Sequence, residues 1–271
     1  MSRRLPVART WVDARDRGLQ YGDGVFETMR VRRHTIRLLD YHMERLELGC
    51  RRLSLPLLPL RGLRRELARF AERRAEAVLK LIVTRGIGAR GYRPSGRERG
   101  TRLILLHPLS RTARSDPAPA QIRVCRMRLG FNRTLAGMKT LNRLESVLAR
   151  AEWSDARIWE GLLRDTEDNF VCGTMSNVFA RRGSVLMTPL LDRCGVAGVM
   201  RRWVLDQAAG LGLRARECRL SSRDLAQAEE VFMTNAVVGV VSVGVIRHGR
   251  LRTRFAEQET AVQLRRRLEL L

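Results

Sequence analysis

Apolar positions along this chain change their period repeatedly, and each change marks an element. Val25 to Val31 reads as a strand that turns at Arg32-Arg33-His34 into a second short strand, Thr35 to Leu38. Leu39, Met43, Leu46, Cys50 and Leu53 then recur at helical spacing and predict an amphipathic helix. Pro56 and Pro59 end it, and Leu60, Leu63, Leu67 and Phe70 predict another. Val78 to Thr84 and Leu103 to Leu106 are apolar runs of strand length, separated by a loop rich in Gly and Arg, Arg85 to Gly100. Residues 108–120 carry Pro, Ser and Ala with few apolar residues and read as a linker.

Beyond the linker the pattern predicts a strand from Gln121 to Leu129, a helix from Asn142 to Glu152 and a strand near Gly161 to Arg164. A hairpin follows, Val178 to Ala180 and Val185 to Met187, turning at Arg181-Arg182-Gly183. A helix starts near Gly198, a strand covers Val231 to Thr234, and Phe255 to Leu270 reads as a final helix. No internal repeat is present. Mixed strands and helices on both sides of the linker predict an α+β protein of two α/β lobes, residues 1–109 and 121–271 around a linker at 110–120. The cleft between the lobes is the expected site.

Composition narrows the function classes. No apolar run approaches the ~20 residues of a membrane span, and Met1 to Pro6 is not followed by the apolar stretch of a secretory signal. The five cysteines, Cys50, Cys125, Cys172, Cys194 and Cys218, are scattered without a C-x-x-C pair or a His at ligand spacing. That pattern suits reduced thiols in a cytoplasm, not a zinc site or a disulfide framework. The formal net charge of +24 would attract polyanions. Its arginines are spread along the chain and aromatics are only 5%, unlike the concentrated, aromatic-interleaved surface of a nucleic-acid binder. Small anionic substrates suit the charge equally well, so no specific nucleic-acid partner and no membrane partner is expected.

Of the 52 Lys+Arg residues only two, Lys80 and Lys139, are lysine. Arginine replaces lysine freely on surfaces, but it cannot form an imine or act as a base near neutral pH. Lys139 is therefore the first candidate for amine chemistry, and its surroundings support this.

Five segments in order resemble the fold type IV pyridoxal-phosphate enzymes, which comprise branched-chain aminotransferases, D-amino acid aminotransferases and aminodeoxychorismate lyases. They are Tyr21-Gly22-Asp23-Gly24-Val25-Phe26-Glu27-Thr28, His42-Met43-Glu44-Arg45-Leu46, Leu135 to Glu145 around Lys139, Gly173-Thr174-Met175-Ser176-Asn177-Val178-Phe179, and Gly195 to Arg201. Within that group, Asn142-Arg143-Leu144-Glu145 after Lys139 and the loop Arg85 to Tyr92 are most similar to the lyases. The resemblance implies a homodimer, pyridoxal 5'-phosphate in the cleft, and conversion of 4-amino-4-deoxychorismate to 4-aminobenzoate and pyruvate for folate biosynthesis. An aminotransferase of the same fold is the alternative.

The resemblance also assigns roles. Lys139 would carry the cofactor covalently and serve as general base. Arg45 would bind the cofactor phosphate, with the helix start at Val199 and Met200 and with Thr234 and Asn235. Arg30, Arg90 and Arg143 are candidates for the two substrate carboxylates, and Thr28 for a proton relay near the ether. Tyr21-Gly22-Asp23-Gly24 is expected to shape a turn, and His34, His42, His107 and His248 to be structural. One position departs from the family. Cys172 stands where most members place a Glu that pairs with the pyridine nitrogen, and a thiol is a weak donor. Glu167 and Asp168 lie a few residues earlier as possible substitutes.

Overall fold

The computed structural model describes residues 11–56, 59–109 and 118–271. Helix α1 (Arg17–Tyr21) comes first, capped by the Asp16 side chain, which accepts from the Gly18 N–H, and closed by Gly22 at φ 67. Only glycine takes that left-handed conformation without strain, and a Cβ there would meet the Asn142 side chain. The Tyr21 to Gly24 turn is thus present as expected.

The first lobe is built on a four-stranded sheet. β1 (Gly24–Arg32) pairs antiparallel with β2 (Thr35–Ile36) and with β3 (Glu76–Thr84), and β3 with β4 (Thr101–Pro108). Helices α2 (Leu39–Arg52) and α3 (Leu60–Ala71) cover one face. Their apolar stripes, Met43, Leu46, Leu63 and Leu67 among them, pack on Val25, Met29, Val31, Leu79 and Leu81. Strand alternation sends the other set, Phe26, Thr28, Val78 and Lys80, to the opposite face.

The second lobe contains β5 (Ala120–Leu129), α4 (Leu144–Arg150), β6 (Ile158–Asp165), β7 (Phe170–Gly173), β8 (Asn177–Arg182) and β9 (Val185–Pro189). It continues through α5 (Val199–Ala208), β10 (Arg214–Cys218), α6 (Ser222–Ala226), β11 (Glu230–Asn235), β12 (Gly239–His248), β13 (Leu251–Arg254) and α7 (Glu259–Glu269). The strands form one sheet ordered β10-β9-β8-β11-β12-β5-β6-β7, with β13 pairing β12. Three pairs are parallel, β9 with β10, β12 with β5, and β5 with β6. This is the expected α+β fold of two lobes. Of the linker expected at 110–120, residues 110–117 lie outside the described residues and Ala120 already opens β5.

The lobes are joined by backbone, not by packing alone. Beyond the short reach of β2, residues 139–141 occupy the free edge of β1. The Phe26 N–H donates to the Lys139 carbonyl at 3.0 Å and the Leu141 N–H to the Gly24 carbonyl at 3.0 Å. On its other side the same segment meets the loop before α5, where Gly137, at φ 78, donates to the Gly195 carbonyl and accepts from the Ala197 N–H.

Candidate active site

Lys139 is therefore held between two backbone anchors, one in each lobe, and its side chain opens into a cavity of about 720 Å³. Its Nζ lies 4.2 Å from the centroid of the Phe26 ring. Burial, followed by the nearby Arg45 charge, lowers its pKa from 10.5 to about 7. A primary amine in this state is free in a large fraction of molecules near neutral pH, which nucleophilic and general-base chemistry both require.

Arg45 lines the cavity one helical turn after His42. Buried Glu27 anchors it: Oε1 accepts from Arg45 Nε at 2.8 Å and Oε2 from Nη2 at 2.5 Å, while Oε2 also accepts from His42 Nδ1 at 2.6 Å. Burial alone would raise the Glu27 pKa, but the Arg45 charge and the bonds from Arg45 and His42 overcome it and hold it at about 2. Burial depresses the His42 pKa, with Glu27 opposing. His42 is thus neutral, and its buried Nε2 has no hydrogen-bond partner among the described residues. His42, expected to be merely structural, shares Glu27 with Arg45, and Glu27 is a site residue that the sequence pattern alone does not single out. The i, i+3 spacing of His42 and Arg45 was the available signal, since it places both on one helix face.

The same end of the cavity collects donors without partners. Helix α5 begins after Gly198 with no side-chain cap, and Val199 and Met200 line the cavity. The first amides of a helix have no intrahelical acceptor. The Thr234 hydroxyl is buried and has no hydrogen-bond partner among the described residues. Asn235 lines the cavity too, although its Oδ1 already accepts from the Val237 and Val238 amides. A fixed guanidinium, open helix amides and an orphaned hydroxyl suit a phosphate dianion. With the Lys139 amine in the same cavity, the donor set fits the phosphorylated aldehyde cofactor that the sequence resemblance implies.

Another part of the lining carries thiols. Cys172, on β7, and Cys194 both face the cavity. Burial pushes the Cys172 thiol up to about 12 and the Cys194 thiol up to about 11, so both stay neutral. Neither Glu167 nor Asp168 substitutes for the missing carboxylate, because Glu167 pairs with Arg193 and Asp168 with Arg128 and Arg164 away from the cavity. The nearest buried acid is Glu160, and it is saturated. Its oxygens accept from the amides of Gly161, Thr174 and Met175 and the hydroxyls of Thr174 and Ser176.

The remaining expected residues divide. Thr28 and Arg143 line the cavity, Arg143 steadied by a 2.9 Å bond to the Thr140 hydroxyl. Arg30 does not line it, and its guanidinium is paired with Glu76. Arg90 borders a separate depression beside Arg15, Tyr21 and Arg97. The structure thus brings together Lys139, Arg45, Thr28, Arg143, Cys172, Val199, Met200, Thr234 and Asn235, and leaves Arg30 and Arg90 outside. Among the described residues no group of three or more His, Cys, Asp and Glu could hold a metal, and no helix is long and apolar enough to cross a membrane.

A model of the family described as amino-transferase class IV matches residues 24–246. An aminodeoxychorismate lyase from Vibrio harveyi is 33% identical over 242 residues, covering 89% of each chain. A D-alanine aminotransferase from Bacillus licheniformis is 28% identical over 238 residues, covering 86% of this chain and 82% of that one. The crystal structure of 4-amino-4-deoxychorismate lyase from Pseudomonas aeruginosa superposes with a TM-score of 0.88 at 42% identity, covering 96% of this chain and 95% of that one.

Proposed function

The chain belongs to the amino-transferase class IV family, and we propose that within it the chain is a pyridoxal-phosphate-dependent lyase that converts 4-amino-4-deoxychorismate to 4-aminobenzoate and pyruvate. The observation that carries this reading is Lys139, a buried amine with its pKa lowered to about 7 in a cavity rich in phosphate-binding groups. Similarity to lyases on both the sequence and the structure side selects the reaction within the family.

The bound cofactor supplies an electron sink for a carbanion at the amine-bearing carbon. Arg45, fixed by Glu27, holds the phosphate together with the Val199 and Met200 amides and the Thr234 hydroxyl. Lys139 Nζ takes the proton from the amine-bearing ring carbon. The C–O bond to the neighbouring enolpyruvyl group then breaks, its electrons leaving on oxygen, and the ring becomes aromatic. Thr28 relays a proton to the departing group, which leaves as pyruvate. Arg143 takes a substrate carboxylate. Cys172, a neutral thiol, would give the bound cofactor little electrostatic support, and the gain from aromatisation would let the elimination proceed without it.

The product would feed folate biosynthesis. The working form is proposed as a cytoplasmic homodimer. Five free cysteines support the reducing compartment. The exposed apolar face of α4, with Leu144 76%, Val147 60% and Leu148 59% accessible, supports a covered surface. An active monomer in sedimentation at working concentration would refute the dimer. The reaction itself is tested by supplying 4-amino-4-deoxychorismate and measuring both products. Equimolar pyruvate and 4-aminobenzoate are expected, whereas amino-group exchange between an amino acid and a 2-oxo acid, with no pyruvate release, would make the protein an aminotransferase.

A further inference from the structure

The turn that joins β11 to β12 belongs to the second lobe, yet it is gripped from the first. Asn235 and Gly239 are the last pair of the two strands, and Asn235, Ala236, Val237 and Val238 all line the Lys139 cavity. Asn235 Oδ1 accepts from the amides of Val237 at 3.0 Å and Val238 at 2.8 Å. The carbonyls of the same turn go to two arginines of the first lobe. Arg37 Nη2 donates to the Ala236 carbonyl at 2.7 Å and to the Val237 carbonyl at 3.2 Å, and Arg30 Nη1 donates to the Val237 carbonyl at 3.4 Å. A trans peptide points its C=O and N–H in opposite directions. Two successive peptides are therefore held at both groups, their amides by Asn235 and their carbonyls by the arginines. With Oδ1 committed, Asn235 has its NH2 group left to offer to the cavity. The preceding residue, Thr234, has the buried hydroxyl without a hydrogen-bond partner among the described residues.

The two arginines are not an easy pair to place together. The Arg37 N–H donates to the Arg30 carbonyl at 3.0 Å, so the two residues face each other just beyond the Val31–Ile36 pair of β1 and β2. Like charges so placed repel. Arg37 is half-buried, and its buried Nε has no hydrogen-bond partner among the described residues. Burial, followed by the Arg30 and Arg32 charges, lowers its pKa to about 10. Glu76, paired with Arg30, is the acid that opposes this. The planar fork of a guanidinium reaches two carbonyls at fixed geometry, which a single ammonium does less well. A dianion on the cavity side of the turn would add counter-charge to the pair.

We infer that Arg37, with Arg30 beside it, is a positioning residue for the cofactor phosphate: from the first lobe it fixes the Ala236 and Val237 carbonyls and so holds Thr234 and Asn235 of the second lobe facing that group. This rests on the proposed place of the phosphate beside Thr234, and not on the lyase reaction. Neither arginine lines the cavity, so both act through the turn.

The test uses the full chain, stripped of cofactor and titrated by absorbance with pyridoxal phosphate and with pyridoxal, which lacks the phosphate. In Arg37→Met and Arg37→Gln, pyridoxal phosphate should bind roughly 5- to 30-fold more weakly than in wild type, with pyridoxal within about twofold. Arg37→Lys should recover part of the loss. The phosphorus NMR resonance of the bound cofactor should move in Arg37→Met, because the donors facing the phosphate change. Urea unfolding separates positioning from a merely structural role. The rise in midpoint on adding pyridoxal phosphate should shrink in the variants. Equal weakening of pyridoxal phosphate and pyridoxal, or pyridoxal phosphate binding within about twofold of wild type, would overturn the role of Arg37. So would a midpoint that falls by the same amount with and without cofactor. If Arg37→Met does not fold, the ratio of the two affinities in Arg37→Gln and Arg37→Lys decides the matter. A wild type that releases no pyruvate overturns the lyase reading alone, since the role of Arg37 is decided by binding.

Discussion

The two ends of the cavity around Lys139 are made of different materials. At one end Arg45 is locked to a buried carboxylate, the amides of α5 are open, and the Thr234 hydroxyl is buried without a partner. At the other end stand Cys172 and Cys194, whose thiols burial keeps neutral. A charged end binds and orients an anion by fixed counter-charge. A neutral lining would give a reacting ring little electrostatic support, and in the proposed reaction aromatisation of the product makes up for it. Lys139 lines the same cavity, and burial followed by the Arg45 charge lowers its pKa to about 7.

Removing the amine at the centre should have the largest effect. Lys139→Arg keeps the charge, but a guanidinium neither attaches the cofactor nor accepts a proton near neutral pH. Turnover is expected to fall by roughly 10⁴-fold or more, measured as pyruvate release. The next largest effect should come from beneath the charged end. Glu27→Gln leaves Arg45 without its buried counter-charge, a change that costs about 3–5 kcal/mol when one partner of a buried pair is lost, read as a fall in the urea midpoint. The wild type carries the same dependence in its acid limb. The folded pKa of Glu27, about 2, is below its ordinary value of 4.5. Its contribution is therefore complete above pH 4.5 and is lost as pH falls toward 2. The midpoint of Glu27→Gln should vary less over that window.

How much of this the sequence disclosed follows a physical line. Long elements with a clear period, such as α2, α3 and the β8–β9 hairpin, were legible because one buried face imposes a repeat on the residues. Strands β7, β10, β12 and β13 were not. β7 is four residues, all buried, and β10 is largely exposed, so neither alternates. β12 carries a buried run that periodicity alone cannot separate from other apolar segments. The predicted Asn142 to Glu152 helix contracts to Leu144–Arg150, and the predicted Phe255 to Leu270 helix to Glu259–Glu269. At the site, Lys139, Arg45, Thr234 and Cys172 were marked by local motif. The exclusion of Arg30 was not legible, because it depends on Glu76, 46 residues away. The importance of Glu27 was hidden for the same reason, since it depends on what α2 brings against β1.

Two smaller effects sharpen the contrast between the ends. Arg45→Ala should weaken cofactor retention about 10- to 100-fold by removing a charge-assisted contact, with activity recovering when pyridoxal phosphate is in excess. Unchanged cofactor affinity, measured by absorbance titration, would remove Arg45 from the charged end. Cys172→Glu should have the smallest effect, a few-fold in rate on the general scale of single-contact changes. It should speed the conversion of bound pyridoxal phosphate to its amine form by D- or L-alanine and alter lyase turnover less. Stopped-flow absorbance compares the two rates, and equal or slower amine formation in a folded, cofactor-loaded variant would show that the neutral end does not limit transamination.

The central claim is that one of the two lysines carries the chemistry and that it is Lys139. Borohydride reduction of the cofactor-loaded enzyme, followed by digestion and mass spectrometry of the lysine peptides, tests it most directly. The reduced cofactor is predicted on the peptide containing Lys139 and absent from the peptide containing Lys80. Label on Lys80, or no label retained on either peptide, would contradict the account.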